Sequence, residues 1–216
     1  VNRFCSSGMQ AIALAAQRII SGEGDVYVAG GLESISLVQG QLNTHCMKDP
    51  VLAQSAPGIY WSMLETAEEV ARRYGITREQ MDAYGARSQQ RACLAQAEKR
   101  FDAEIAPIKV TMASLEKGTN RIFRREVTVA ADEGLREGTT AEVLTTLRPA
   151  LPGGVVAAGN ASQFSDGAGA MVVMSAEAAA RQGLAPLGIF RGFAVAGCDP
   201  REMGIGPVFA VPKLLQ

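Results

Sequence analysis

Asn2-Arg3-Phe4-Cys5-Ser6-Ser7-Gly8-Met9, continued through Ala11 to Ile20 and on to Val26-Tyr27-Val28-Ala29-Gly30-Gly31-Leu32-Glu33-Ser34, decides the fold. Met9, Ile12, Ala13, Ala16, Ile19 and Ile20 recur at helical spacing, and alanines fill much of the rest. Residues 6–21 therefore read as a helix. Ser21-Gly22-Glu23-Gly24 ends it. Val26 to Gly31 is a short apolar run with β-branched and aromatic residues, and it reads as a buried strand stopped by its two glycines. Helix, tight turn and buried strand in that order predict an α/β chain.

Outward from this block, residues 36–62 hold Gly40, Asn43, Pro50, Pro57 and Gly58 with little periodicity, and read as irregular. Residues 63–74 read as a helix, with Leu64, Ala67, Val70 and Ala71 on one face. Thr77-Arg78-Glu79-Gln80 is a capping-box pattern opening a long helix to about Phe101. Ile105 to Val110 follow, then a loop with Gly118 and Asn120, a basic stretch with Arg121, Arg124 and Arg125, and a short strand at Val127–Val129. Val155 to Ala158 rise into Gly159-Asn160-Ala161-Ser162. Gly169 to Met174 predict a second buried strand, Ser175 a short helix ending near Gly183, and Leu187 to Phe193 a third strand. Two α/β parts thus flank a polar, mostly helical insertion at about 37–154. Long insertions of this kind usually carry binding function.

The 216 residues carry a net charge of -1, so no electrostatic case exists for nucleic acid or a membrane surface. No apolar run approaches the roughly 20 residues that span a bilayer. Four widely spaced cysteines without a CxxC pair predict free thiols in a reducing compartment, and a cytoplasmic location. The chain opens at Val1 without a methionine and closes at Pro212–Gln216 in what reads as the first turn of a helix. It is expected to be a fragment of a longer protein.

Cys5 sits just before a helix, where unpaired N–H groups and the positive end of the dipole favour thiolate over thiol. Position alone leaves a nucleophile and a buried structural thiol both open. His45, the one histidine, reads as a solvated loop residue, and no ligand set completes a metal site around His45-Cys46. Asp132-Glu133 reads as a solvated pair. Ala158 to Ser162, continued by Ser165-Asp166-Gly167, could lie flat against an extended ligand or form a tight αβ turn. The glycines around Val26–Gly31 are in the wrong order for a dinucleotide fingerprint.

Taken together, these residues resemble the thiolase family. The resemblance covers Asn2 to Ser34 with Cys5 and Ser7-Gly8, and Met63 to Val70 with Leu64-Glu65 in place of smaller residues. It continues through Leu147-Arg148-Pro149-Ala150-Leu151, Ala158 to Ala168 and Gly197 to Pro207. It implies a thiolase-like fold fragment. Residues 1–36 would be the second part of an N-terminal βαβ core, 37–154 the insertion domain, 155–185 the return to that core and 186–216 the start of a C-terminal core. The 63–80 and 147–168 matches argue against a ketoacyl synthase, a condensing enzyme of the same fold.

The implied activity is acyl transfer between CoA and Cys5, by thiolytic cleavage or Claisen condensation of 3-oxoacyl-CoA and acetyl-CoA, as in fatty-acid β-oxidation. The implied oxyanion donor is the Cys5 N–H. CoA would be substrate, with no bound cofactor or metal. Ala158 and Ser162 would follow the pantetheine, Arg136 would lie near the nucleotide, and Leu151 and Met63 would line the tunnel. Ser62 stands where many relatives carry a histidine. The family's activating histidine and second cysteine have no match here, and Cys198 matches a non-catalytic stretch. The fragment alone is expected to be inactive, and the full-length protein a homo-oligomer, a dimer or tetramer. The opposing reading is a truncated, inactive thiolase-like chain.

Overall fold

The computed structural model describes residues 1–119 and 121–216. Asn120, expected in the loop after Gly118, lies outside the described residues. The elements run α1 (Ser7–Ile20), β1 (Val26–Glu33), α2 (Ile35–Val38), α3 (Pro50–Ser55), α4 (Met63–Tyr74), α5 (Arg78–Ala97), β2 (Ile108–Leu115) and β3 (Ile122–Val129). They continue with α6 (Ala141–Thr145), β4 (Gly167–Met174), α7 (Ala176–Arg181) and α8 (Gly206–Leu215). Among the described residues no helix is long and apolar enough to cross a membrane. Two compact units form, Val1–Val70 with Phe164–Gln216, and Ala71–Gln163. These are bounds of packing, whereas the insertion expected at 37–154 is one of chain topology.

In the first unit β1 pairs antiparallel with β4, from Val26 opposite Met174 to Glu33 opposite Gly167. The glycines do not stop β1. A Cβ on Gly30 would stand 3.1 Å from both the Ala170 Cβ and the Gly169 carbonyl, so glycine there admits the partner strand. Helix α1 covers the ribbon with small side chains, burying Ala13, Ala15 and Ala16, and Ala29 is buried on β1. The remaining strand residues are half-buried or exposed, including Val28, Leu32, Met171 and Val172. The expectation of two buried strands is corrected accordingly: a two-stranded ribbon has one face against α1 and the other open.

Ser175 caps α7 by accepting the Ala178 N–H at 3.1 Å, and Gly183, at φ +65°, follows the helix as expected. The third strand expected at 187–193 does not form, and Leu187 and Ile189 are exposed. Its β-branched and aromatic composition suits a strand, but no ladder partner meets it among the described residues. The irregular stretch 36–62 holds short helical pieces, with 3-10 turns at Gln39–Gln41 and Pro57–Tyr60. Helix α8 begins at Gly206, so Pro212–Gln216 belong to its end, not to a first turn.

In the second unit the expected capping box opens α5. Thr77 Oγ1 accepts the Gln80 N–H at 3.3 Å, and Gln80 Oε1 accepts the Thr77 N–H at 2.9 Å. The helix ends at Ala97, short of Phe101, and Lys99 then turns left-handed at φ +56°. The stretch read as a loop and a basic run ahead of a short strand at 127–129 carries an antiparallel hairpin, β2 with β3, from Ile108 opposite Val129 to Leu115 opposite Ile122. Neither strand buries a face, although Ile108-Lys109-Val110-Thr111-Met112 alternates apolar and polar residues at strand period. Ala71, Ala86, Leu144, Val156 and Ala157 form the small apolar core.

Candidate active site

Cys5 is exposed in this chain and lies two residues before α1. Phe4 before it has φ +49°, a left-handed conformation that bulky L residues rarely enter. Hydrogen bonds hold it there. The Ser7 hydroxyl accepts the Arg3 N–H at 2.8 Å and donates to the Phe4 carbonyl at 2.7 Å. The Ser7 N–H donates to the same carbonyl at 3.0 Å, and Asn2 Oδ1 accepts the Phe4 N–H at 2.9 Å. Among the described residues no peptide bond is cis. In a planar trans peptide the C=O and the following N–H point in opposite directions. By gripping the Phe4 carbonyl, Ser7 therefore aims the Cys5 N–H away from itself.

Met63 is exposed at the start of α4. Ser62 and Glu65 form a second capping box: the Ser62 N–H donates to Glu65 Oε2 at 2.7 Å, and Ser62 Oγ accepts the Glu65 N–H at 3.3 Å. The Ser62 N–H, followed by its hydroxyl, holds the Glu65 carboxyl below its ordinary value. Ser62 and Glu65 are thus one device, closing the start of α4 around Met63. Asp166, just before β4, accepts from the Ser36 hydroxyl and, at 2.9 Å, from the Ser36 N–H. The hydroxyl first and the amide second keep the Asp166 carboxyl below its ordinary range. This clasp joins the chain on either side of residues 37–165.

The second unit gathers Arg136, Leu151, Ala158 and Ser162. Leu151 and Ala158 flank a short antiparallel bridge, Pro149 to Ala157, where the Ala150 N–H donates to the Val156 carbonyl at 2.8 Å. Ala158 and Ser162 are exposed, and Leu151 is half-buried. Arg136 is exposed on a loop whose main chain is fixed by α5: Gln89 Oε1 accepts the Arg136 N–H at 3.2 Å and Gln89 Nε2 donates to the Gly134 carbonyl at 3.4 Å. The Gln163 amide sits where a Cβ on Gly134 would be, so the Arg136 loop and the end of the Ser162 segment adjoin. Beneath them lies a network that sequence reasoning missed. Asp82 Oδ2 accepts from Arg78 Nε at 2.7 Å, and Asp82 Oδ1 from Asn160 Nδ2 at 2.9 Å. Of the two readings of 158–162, the turn is present, since Asn160 Oδ1 accepts the Ala157 N–H at 2.8 Å, and it leaves the exposed side of Ala158 and Ser162 open.

His45 stays on an exposed turn, its N–H donating to Asn43 Oδ1 at 3.0 Å. The Cys198 thiol donates to the Glu202 carbonyl across 3.8 Å.

The family model described as "Thiolase, N-terminal domain" matches residues 1–177. The 3-ketoacyl-CoA thiolase of Bacillus subtilis (strain 168) is 47% identical over 217 residues, a match covering 100% of this chain and 55% of the relative. The peroxisomal 3-ketoacyl-CoA thiolase of Homo sapiens is 42% identical over 221 residues, covering 100% of this chain and 50% of the relative. Among solved structures, the dimeric peroxisomal thiolase of Saccharomyces cerevisiae matches with a TM-score of 0.87 at 33% identity, over 100% of this chain and 53% of that one. The chain spans about half the length of the curated relatives it matches. Sequence and fold agree along its length, and the chain belongs to the thiolase family.

Proposed function

We propose that the protein carrying this chain is a thiolase-type acyltransferase that cleaves 3-oxoacyl-CoA, or in reverse condenses acetyl-CoA, through a thioester on Cys5. The observation that carries the reading is the exposed Cys5 on its hydrogen-bonded elbow before α1, in a chain of this family. In the thiolytic direction the Cys5 thiolate attacks the 3-carbonyl carbon, and the Cys5 N–H faces the oxyanion that forms. The C2–C3 bond breaks, its electron pair leaves with C2, and a proton there completes acetyl-CoA. The thiol of CoA then gives up its proton and attacks the Cys5 thioester, acyl-CoA departs, and the thiolate is restored. We assign the groups that move these protons to the family's C-terminal half, as the resemblance implies, and not to His45 on its exposed turn.

CoA enters as substrate, and the reaction asks for no bound cofactor. Exposed Ala158 and Ser162 suit the pantetheine, and Leu151 and Met63 the tunnel wall. Arg136, whose guanidinium is uncommitted among the described residues, suits the phosphate-bearing end. A homo-oligomer is part of the proposal, supported by the Saccharomyces cerevisiae relative being dimeric. Four free cysteines support a reducing compartment, for which we propose the cytoplasm. The test is turnover by the full-length protein. It should release CoA from acetyl-CoA and consume 3-oxoacyl-CoA when CoA is supplied. A well-folded protein inert toward every 3-oxoacyl chain length would favour the inactive thiolase-like reading instead.

A further inference from the structure

Asp82, Gly85 and Gln89 fall three and four residues apart on α5 and so share one face of the helix. Each meets a segment to which the proposed function gives a part of CoA. Asp82 is fully buried and accepts the Asn160 amide at 2.9 Å, and Asn160 holds the turn of Ala157 and Val155 that leads into Ala158 and Ser162. Gly85 lets the same segment lie against the helix: a Cβ there would stand 2.7 Å from the Gly159 carbonyl and 3.3 Å from the Asn160 Cα. Gln89 grips the Arg136 loop through the Arg136 N–H and the Gly134 carbonyl. Arg78 completes the lower end, bonding Asp82 and donating to the Leu144 and Leu147 carbonyls at 2.7 and 2.9 Å, ahead of Leu151.

A buried ion pair is poor at adding stability, because removing two charges from water costs about as much as their attraction returns. Apolar side chains of equal volume would hold α5 as well. What they would lack is direction: each Asp82 oxygen has its own partner, and no buried side-chain polar atom among the described residues is left without one. We infer that this face of α5 is a positioning surface that sets the spacing between the pantetheine segment at Ala158–Ser162 and the nucleotide-side Arg136. The enzyme thereby favours whole CoA thioesters over truncated ones. Asp82 and Gln89 are positioning residues that touch no substrate. The inference rests on the proposed function.

The experiment compares acetoacetyl-CoA with the acetoacetyl thioester of N-acetylcysteamine, which lacks the nucleotide and most of the pantetheine, in the full-length protein. The reading is the ratio of the two kcat/KM values. Asp82→Asn puts an amide donor against either Arg78 or Asn160 and should lower the ratio about tenfold, the equivalent of about one hydrogen bond to a charged group, with the change in KM for the CoA thioester. Gln89→Leu keeps the volume, loses both loop contacts on a half-buried position, and should lower the ratio about threefold. It decides the matter if Asp82→Asn does not fold. A folded Gln89→Leu variant with the wild-type ratio, or variants that lose both thioesters equally, would overturn the inference while leaving the proposed function standing. A wild-type protein that cleaves neither thioester would overturn the proposed function, and this inference with it.

Discussion

Ser7→Ala deletes one hydroxyl and two hydrogen bonds, the one accepted from the Arg3 N–H and the one donated to the Phe4 carbonyl. Each contributes about 1 kcal/mol net, so about 2 kcal/mol of restraint on the Phe4–Cys5 peptide disappears. Against this stands the left-handed Phe4, whose conformation costs about 1–2 kcal/mol for a residue with a Cβ. The two figures are close, so in the variant the elbow is held mainly by the Ser7 N–H and the Asn2 side chain. If the lost restraint appears in full as misdirection of the thiol and the Cys5 N–H, acylation slows by up to about 30-fold. Competition from water at this half-buried position makes about tenfold the working expectation. The assay is single-turnover acylation of the full-length protein by a slow acyl-CoA, quenched and followed by peptide mass. Ser7→Thr keeps a hydroxyl and should recover most of the rate. Ser7→Ala acylating within about twofold of wild type, or Ser7→Thr failing as badly, would refute the elbow reasoning.

Three further outcomes are expected. Gly85→Ala would stabilise an exposed helix by about 1 kcal/mol, but here its Cβ meets backbone atoms of Gly159 and Asn160, so a net loss of about 1–2 kcal/mol should appear in denaturant unfolding, and an unchanged or raised midpoint would count against the close approach. Arg136→Ala should raise KM for CoA substrates about fivefold with kcat nearly constant, the worth of about 1 kcal/mol for an exposed charge contact, and an unmoved KM would mark Arg136 as a solvated charge. Asp166 has its folded carboxyl held below the ordinary value of 3.8, so the clasp with Ser36 stabilises above that value and is lost as pH falls through the folded value. The stability gap between wild type and Ser36→Ala should therefore be level near about pH 6 and shrink toward about pH 3, and a gap that does not shrink would remove the clasp from the account.

Local signals in the sequence proved reliable where the structure needed only local chemistry. Met63–Tyr74 is a helix as its apolar spacing predicts, Thr77 caps α5, and Ser175 and Gly183 bound α7. Gly30 was misread as a stop because a close approach between strands and a chain break look alike in one sequence. Residues 187–193 have strand composition, but a strand also needs a partner, and composition says nothing about partners. The hairpin had a local signal in the alternation of Ile108-Lys109-Val110-Thr111-Met112, but that run is short and the basic stretch Arg121, Arg124 and Arg125 hides its partner strand. At the site, Cys5 and the small residues near Ser162 were legible as types in a setting. Ser62-x-x-Glu65 was also legible as a capping box, and was read instead for what it replaced. Arg78 and Asp82 show helical spacing, but their third partner, Asn160, lies far along the chain and is brought in by tertiary folding alone. Ser36 and Asp166 are hidden for the same reason.

The central claim is that Cys5 carries the acyl group. Its most direct measurement is incubation of the full-length protein with a slow acyl-CoA, followed by mass analysis of every cysteine peptide. Cys46 is exposed like Cys5, so general alkylation does not discriminate, whereas enzymatic thioester formation does. The acyl mass should appear on the Cys5 peptide, be discharged by added CoA, and vanish in Cys5→Ser, since a serine hydroxyl is a far weaker nucleophile at neutral pH than a thiolate. An acyl group trapped on Cys46, Cys93 or Cys198, or trapping that survives Cys5→Ser, would contradict the account.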